Sequence, residues 1–276
     1  MQHFLRLRGG CSAPILHTNM CANSVNKLKT QKHCAAFIID ESDKFDDNLC
    51  DGLSRVNLNI DIFGKELNLT IGFADVPVQI CDIVPPAQAI CDRIVKTAAD
   101  QAQKSGWNIP CQKGCTCCRN PVPMSAPEAL WLCREINLMP NNERKVLQRS
   151  IELARRKQNL ACPFLSENSC MIYRSRPLAC REHIVAGPNF CNASDNQNNQ
   201  LLQLPVSILE AVIRLCGELE ENTTEAIMLP AAIGWAQNSK DLLTKTYHMS
   251  ELLNRLVDII HQQSEKNRLS NLAVCY

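Results

Sequence analysis

Aromatic residues are scarce in this chain, at 5% of 276 positions. No stretch approaches the ~18 consecutive apolar residues that a membrane-spanning helix needs. Lys+Arg and Asp+Glu number 29 and 28 and nearly cancel, so no field of one sign recommends a nucleic acid partner or a cation-binding face. No Gly-rich strand-to-helix turn of the kind that cradles a nucleotide is present. The first thirty residues contain no uninterrupted apolar segment of the secretory type. These absences set aside membrane, nucleic acid and nucleotide chemistry. What remains is a globular composition, 45% apolar and 21% charged, which supports a core. Few aromatics leave aliphatic packing, and any bound metal, to carry the stability.

Cysteine is the residue in excess. The total of 17 is odd, so complete pairing within one chain is ruled out. Length and the missing signal segment point to a reducing cytoplasm, where dense thiols serve as soft metal ligands rather than as disulfide halves. Cys111, Cys115, Cys117, Cys118, Cys162, Cys170, Cys180 and Cys191 fall within one stretch. The first four read C-x3-C-x-C-C.

Tetrahedral zinc and iron–sulfur clusters both need thiolates converging from tightly turned segments. The sequence supplies the turns: Lys113-Gly114 between the first two cysteines, Pro163 after Cys162, and Pro177 ahead of Cys180. Adjacent Cys117 and Cys118 point apart unless the backbone bends, so at most one is expected in a principal site. Arg119, Arg174, Arg176 and Arg181 are interleaved with the thiols. Nearby guanidinium charge lowers thiol pKa and offsets a multi-thiolate centre, although solvated salt bridges are an equal alternative for any one of them.

Taken in order, Cys111-x3-Cys-x-Cys-Cys-Arg, Cys162-Pro-Phe-Leu, Cys170-Met-Ile-Tyr and Arg176-Pro-Leu-Ala-Cys-Arg-Glu-His resemble the zinc- or iron-chelating cysteine-cluster family (YkgJ-like, CxxCxxCC type). The resemblance covers about residues 107 to 191. It implies a cysteine-bound zinc or iron–sulfur centre with Cys111, Cys115, Cys118, Cys162, Cys170 and Cys180 as ligands. Only Thr116 separates Cys115 from the cysteine pair, where the family pattern has two residues. A distant branch is similar to flagellin lysine methylases, but the missing cofactor-cradling turn places that chemistry last. His183 reads first as a polar, structural or occasional metal-ligating residue and only then as a catalytic base. No catalytic constellation is identified.

The remaining cysteines read as packing. Cys91, Cys133 and Cys216 sit within helical apolar patterns, where cysteine behaves as a small hydrophobe; Cys81 and Cys275 carry no motif. Trp107 and Trp235 are expected to be core anchors.

Around the cluster the pattern predicts structure. Val56, Leu58, Ile60 and Ile62, then Leu67, Leu69, Ile71 and Phe73, alternate as a β-hairpin with one apolar face. Ile90, Ile94, Ala98 and Ala102 recur at helical spacing up to Ser105-Gly106, giving a helix on which the hairpin can pack. Ser125-Ala-Pro-Glu128 has the form of a capping box. A second helix after Pro140 turns Val146, Leu147, Ile151 and Ala154 inward, and further helices follow Pro205, one of them interrupted at Pro230. The expected organisation is α+β: a loosely structured arm over 1–50, a hairpin plus helix over 51–106, a cysteine-cluster metal-binding domain over 107–195 and a helical region over 196–276. The expected function is a cysteine-ligated iron–sulfur or zinc protein acting as a redox or metal-handling accessory that serves a redox or metal-recipient protein partner. A structural-zinc interaction module is the alternative.

Overall fold

The computed structural model describes residues 37–41, 52–109, 122–157, 162–166, 169–186, 200–220, 225–238 and 244–273. Among them are seven α-helices and several small antiparallel sheets, an α+β arrangement.

The alternating apolar residues do form a hairpin. Strands β2 (Ser54–Ile62) and β3 (Lys65–Phe73) pair antiparallel, with Leu58 opposite Leu69 and Ile60 opposite Leu67. The turn is two residues long. Phe63 (φ 53°) and Gly64 (φ 79°) both have positive φ, the requirement of a tight hairpin turn that matches strand twist. The Gly64 N–H donates to Asp61 Oδ1 at 3.0 Å.

A third strand, β1 (Phe37–Asp40), pairs with β3 on the far side, placing Phe37 opposite Phe73. These four residues fall in the expected arm, whose remaining residues lie outside the described ones except for Glu41. Phe37, Ile38 and Ile39 are all buried; three adjacent apolar residues show no period, which is why the strand does not announce itself in the sequence.

Strand β4 (Pro77–Gln79) and a 3-10 turn (Ile80–Ile83) lead into α1 (Val84–Lys104). Pro85 and Pro86 occupy its first turn, where a missing N–H costs nothing. Ile90, Ile94, Ala98 and Ala102 are buried as their spacing requires. Gly106 (φ 88°) then turns the chain away, and Trp107, expected in the core, is 46% exposed.

Strand β5 (Pro123–Met124) precedes α2 (Ala126–Leu138), and α3 (Asn141–Lys157) follows. The Ser125/Glu128 capping box forms reciprocally. On α3, Leu147, Ile151 and Ala154 are buried, a face repeating at i, i+4 and i+7. Val146 lies about 100° round the helix from Leu147; contrary to expectation it is 51% exposed.

Two-residue strands β6 (Leu165–Ser166) and β7 (Ser169–Cys170) pair, followed by a 3-10 turn (Tyr173–Ser175) and the short α4 (Leu178–Glu182). Strands β8 (Val185–Ala186) and β9 (Gln200–Leu201) pair, bringing the chain back after residue 199. The helical end comprises α5 (Ile208–Leu219), α6 (Leu229–Asn238) and α7 (Met249–Ala273). Strand β10 (Ile227–Met228) pairs with β5, and β11 (Thr246–His248) with β4. Pro230 sits in the first turn of α6, so it begins that helix instead of interrupting one.

Packing divides into two hydrophobic clusters. The larger joins the three-stranded sheet to α1, α5 and α7 and includes Leu178 of α4. The smaller joins Met124, Leu132, Ile136, Leu147, Ile151, Phe164, Ile172 and Ile233, from α2, α3, α6 and the β6–β7 hairpin. Cys162, Cys170 and Cys133 pack against the smaller one. Buried Cys81, Cys91 and Cys216 fill apolar space; burial pushes the Cys81 thiol up to about 12 and the Cys91 thiol well above its usual range.

Candidate metal centre

The β6–β7 hairpin sets Leu165 opposite Cys170, so Cys162, three residues before Leu165, is carried toward Cys170. The chain makes this approach by a tight turn: the Leu165 N–H donates to the Cys162 carbonyl at 3.3 Å. Burial raises the Cys162 thiol, opposed by the backbone N–H of Phe164 and, more weakly, of Leu165, while neighbouring Cys170 adds to the rise. Burial likewise raises Cys170, opposed by the Ile172 N–H and by the positive charge of Arg176. In both cases the N–H two residues on faces the sulfur. Such donors stabilise a thiolate and orient it as a ligand.

Cys180 arrives on a separate element. Helix α4 is five residues long, too short to hold itself, and side chains from two longer helices and the amino-terminal end of a third fasten it. Glu128 of α2, fully buried, accepts the Leu178 N–H at 2.7 Å and the Ser125 N–H at 3.0 Å. Burial raises its carboxyl and these donors oppose the rise. Arg181, 7% exposed, donates to Asp92 of α1 at 2.5 Å and to the Arg174 and Arg176 carbonyls at 2.5 and 3.0 Å. Gln88, one turn before Asp92, accepts from Arg181 at 3.3 Å and donates to the Arg176 carbonyl at 3.1 Å. Glu182 accepts the Ile208 and Leu209 N–H groups at 2.6 and 2.9 Å and the Ser207 hydroxyl at 2.9 Å. It thus places a carboxylate at the positive end of α5.

Cys162, Cys170 and Cys180 line one cavity of about 290 Å³, together with Tyr173, Arg176, Arg181 and His183. Val95 and Ala99 of α1 close one side; Phe164, Ile172 and Leu229 close another. The cavity thus occupies the seam between the two hydrophobic clusters. Among the described residues no three Cys, His, Asp or Glu side chains converge closely enough to hold a metal ion. Cys111, Cys115, Cys117, Cys118 and Cys191, also expected as ligands, lie outside the described residues, as does Arg119. The donors that are described suit a soft ion: thiols, backbone N–H groups facing two of them, and a cation beside Cys170.

Residues 110–203 match the model of the CxxCxxCC family, described as "Putative zinc- or iron-chelating domain". This stretch is similar to the CxxCxxCC domain. No curated protein and no solved structure matches the chain. The matched stretch spans the β6–β7 hairpin, α4 and both helices between the cysteine groups, and of its described thiols Cys162, Cys170 and Cys180 share the cavity while Cys133 does not.

Sequence reasoning missed Glu128, Asp92, Gln88 and Glu182 as supports of the helix that carries Cys180. Gln88 was the available signal, a polar residue at a helical position shared with buried Ala87, Ile90 and Cys91. The interleaved arginines separate by role. Arg181 is a buried structural tie, Arg174 is exposed, and Arg176 stays at the cavity.

Among the described residues no helix is long and apolar enough to cross a membrane.

Proposed function

We propose that the chain is a metal protein of the cytoplasm whose cysteine centre holds an iron–sulfur cluster and acts as a redox or metal-handling accessory to a protein partner. The observation that carries this reading is the shared cavity of about 290 Å³ lined by Cys162, Cys170 and Cys180. A single tetrahedral ion draws its four sulfurs to ~2.3 Å and needs no such space, whereas a cluster adds several atoms of its own. Eight clustered cysteines also exceed one tetrahedral site.

When bound, an iron–sulfur cluster supplies one-electron transfer at a potential set by charge, hydrogen bonds to sulfur and exposure. The chain's own residues do the rest. Cys162, Cys170 and Cys180 would hold the group, with candidates Cys111, Cys115, Cys118 and Cys191 completing the set. Phe164, Leu165 and Ile172 present N–H donors, and Phe164, Ile172 and Leu229 exclude water from one side. Glu128, Arg181 and Glu182 fix the helix that carries Cys180.

Structural zinc is the second reading, favoured by the tight Cys162-Pro-Phe-Leu turn, which suits a single ion equally well. Anaerobic purification followed by iron, acid-labile sulfide and zinc analysis separates the two. Iron with matching sulfide supports the redox assignment, zinc alone establishes the structural site, and folded protein that takes up neither overturns both.

A further inference from the structure

Among the described residues one buried side-chain nitrogen or oxygen has no hydrogen-bond partner: Nε of Arg176. Buried donors are nearly always satisfied, and an exception calls for a cause such as an ion or a redox role. This one belongs to a residue that lines the thiol cavity. The side chain is well held. Its guanidinium carbon lies 4.7 Å from the centre of the Tyr173 ring, a cation–π contact. Its own carbonyl accepts from Gln88 at 3.1 Å and from Arg181 at 3.0 Å. No carboxylate among the described residues pairs with it. Arg181, five residues on, lines the same cavity but is ion-paired to Asp92 and spent on carbonyls.

We infer that Arg176 is the charge-balancing and hydrogen-bonding partner of the cysteine centre, its guanidinium serving the sulfur atoms at Cys170. This rests on the metal-centre reading above and goes beyond it by assigning a tuning residue. Several thiolates in one cavity repel one another, and a fixed cation held against them without its own carboxylate lowers the free energy of the most negatively charged state. Two consequences follow. Metal loss is slowed, and if the centre is redox-active the reduced form is favoured, so the midpoint potential lies higher than without the guanidinium.

The test uses the full-length protein loaded with its metal, in wild-type, Arg176→Lys and Arg176→Gln forms. Release of zinc or iron to a chromogenic chelator is followed by absorbance, and the midpoint potential by redox titration where iron is present. Expected for Arg176→Gln are unchanged metal stoichiometry on loading, at least tenfold faster release, and a potential lowered by about 59 mV, the equivalent of tenfold for one electron. Arg176→Lys keeps the charge but not the planar fork, so it should fall between the two; it also provides a folded comparison if the glutamine variant is unstable. Metal-loaded variants with wild-type release rate and potential would overturn the role of Arg176 alone. Wild-type protein that takes up no metal would overturn the centre itself.

Discussion

Glu128 on α2 accepts the backbone N–H of Leu178 on α4 at 2.7 Å, so the carboxylate that closes the capping box of one helix also begins the helix carrying Cys180. It accepts from the Ser125 hydroxyl as well, at 2.9 Å. One buried side chain satisfies three donors.

Removing that carboxylate strands all three. Glu128→Ala should cost about 3 kcal/mol, since each buried unsatisfied donor carries a penalty of roughly 1–3 kcal/mol. Denaturant unfolding of the metal-free protein measures it. Metal retention should fall in the same variant, because Leu178 lies two residues before Cys180. A loss of stability under 1 kcal/mol would show that water replaces the carboxylate without penalty.

Ligand cysteines and packing cysteines should separate cleanly. Cys162→Ser, Cys170→Ser and Cys180→Ser are expected to abolish metal retention, because a lost thiolate weakens the site and leaves the others repelling. Cys91→Ser, Cys133→Ser and Cys216→Ser should keep the metal and lose only packing stability. Metal analysis of the six purified variants decides. Of the adjacent pair, Cys118→Ser is expected to be severe and Cys117→Ser milder, since Cys118 precedes Arg119 as the family-like Cys-Cys-Arg ending does.

Metal removal should act locally. Strands β6 and β7 have two residues each, far below the length at which a hairpin stands alone. Stripping the metal is expected to raise amide exchange across 162–172 at least tenfold while β2, β3 and α7 stay protected. Uniform loss of protection would mean that the two hydrophobic clusters unfold as one unit.

Far from the centre, a clamp joins α5 to α7. Glu218 accepts from Arg255 at 2.6 Å and Arg214 at 2.9 Å. The Arg255 hydrogen bond, with help from Arg214, holds its carboxyl below the ordinary value of 4.5. A lowered folded pKa stabilises above the unfolded value and loses that contribution as pH falls through the folded one. Glu218→Gln should therefore cost about 0.5 kcal/mol at pH 7, in keeping with a partly exposed pair, and progressively less below pH ~4.5. Parallel urea titrations of the two proteins at pH 3 and pH 7 test it; a difference that does not shrink in acid would rule the clamp out.

What could be read from the sequence follows the kind of signal each element carries. The hairpin was legible because β2 and β3 each bury one face, and α1 and α2 because spacing and capping are local properties. Strand β1 was not: Phe37, Ile38 and Ile39 are buried together and show no alternation. Val146 was misplaced because two adjacent apolar residues, Val146 and Leu147, fit the period almost equally and only packing against α6 chooses between them. At the site, Cys162, Cys170 and Cys180 were legible as thiols in turns. Their supports were not, because Asp92 and Arg181 are 89 positions apart and nothing local pairs them.

The bond from Glu182 to the start of α5 also has a temporal meaning. Cys180 is held by a helix whose last residue has its carboxylate bonded to Ser207, Ile208 and Leu209, all of them downstream of Cys191. A growing chain emerging from the ribosome would present all eight clustered thiols before it presents these anchors. The centre is therefore expected to be completed late in synthesis or after release, leaving an interval in which the newborn thiols need protection from oxidation and from the wrong metal. Pulse-labelled nascent chains stalled at residues 195 and 260 would show it, the shorter giving up its metal to a chelator and the longer retaining it.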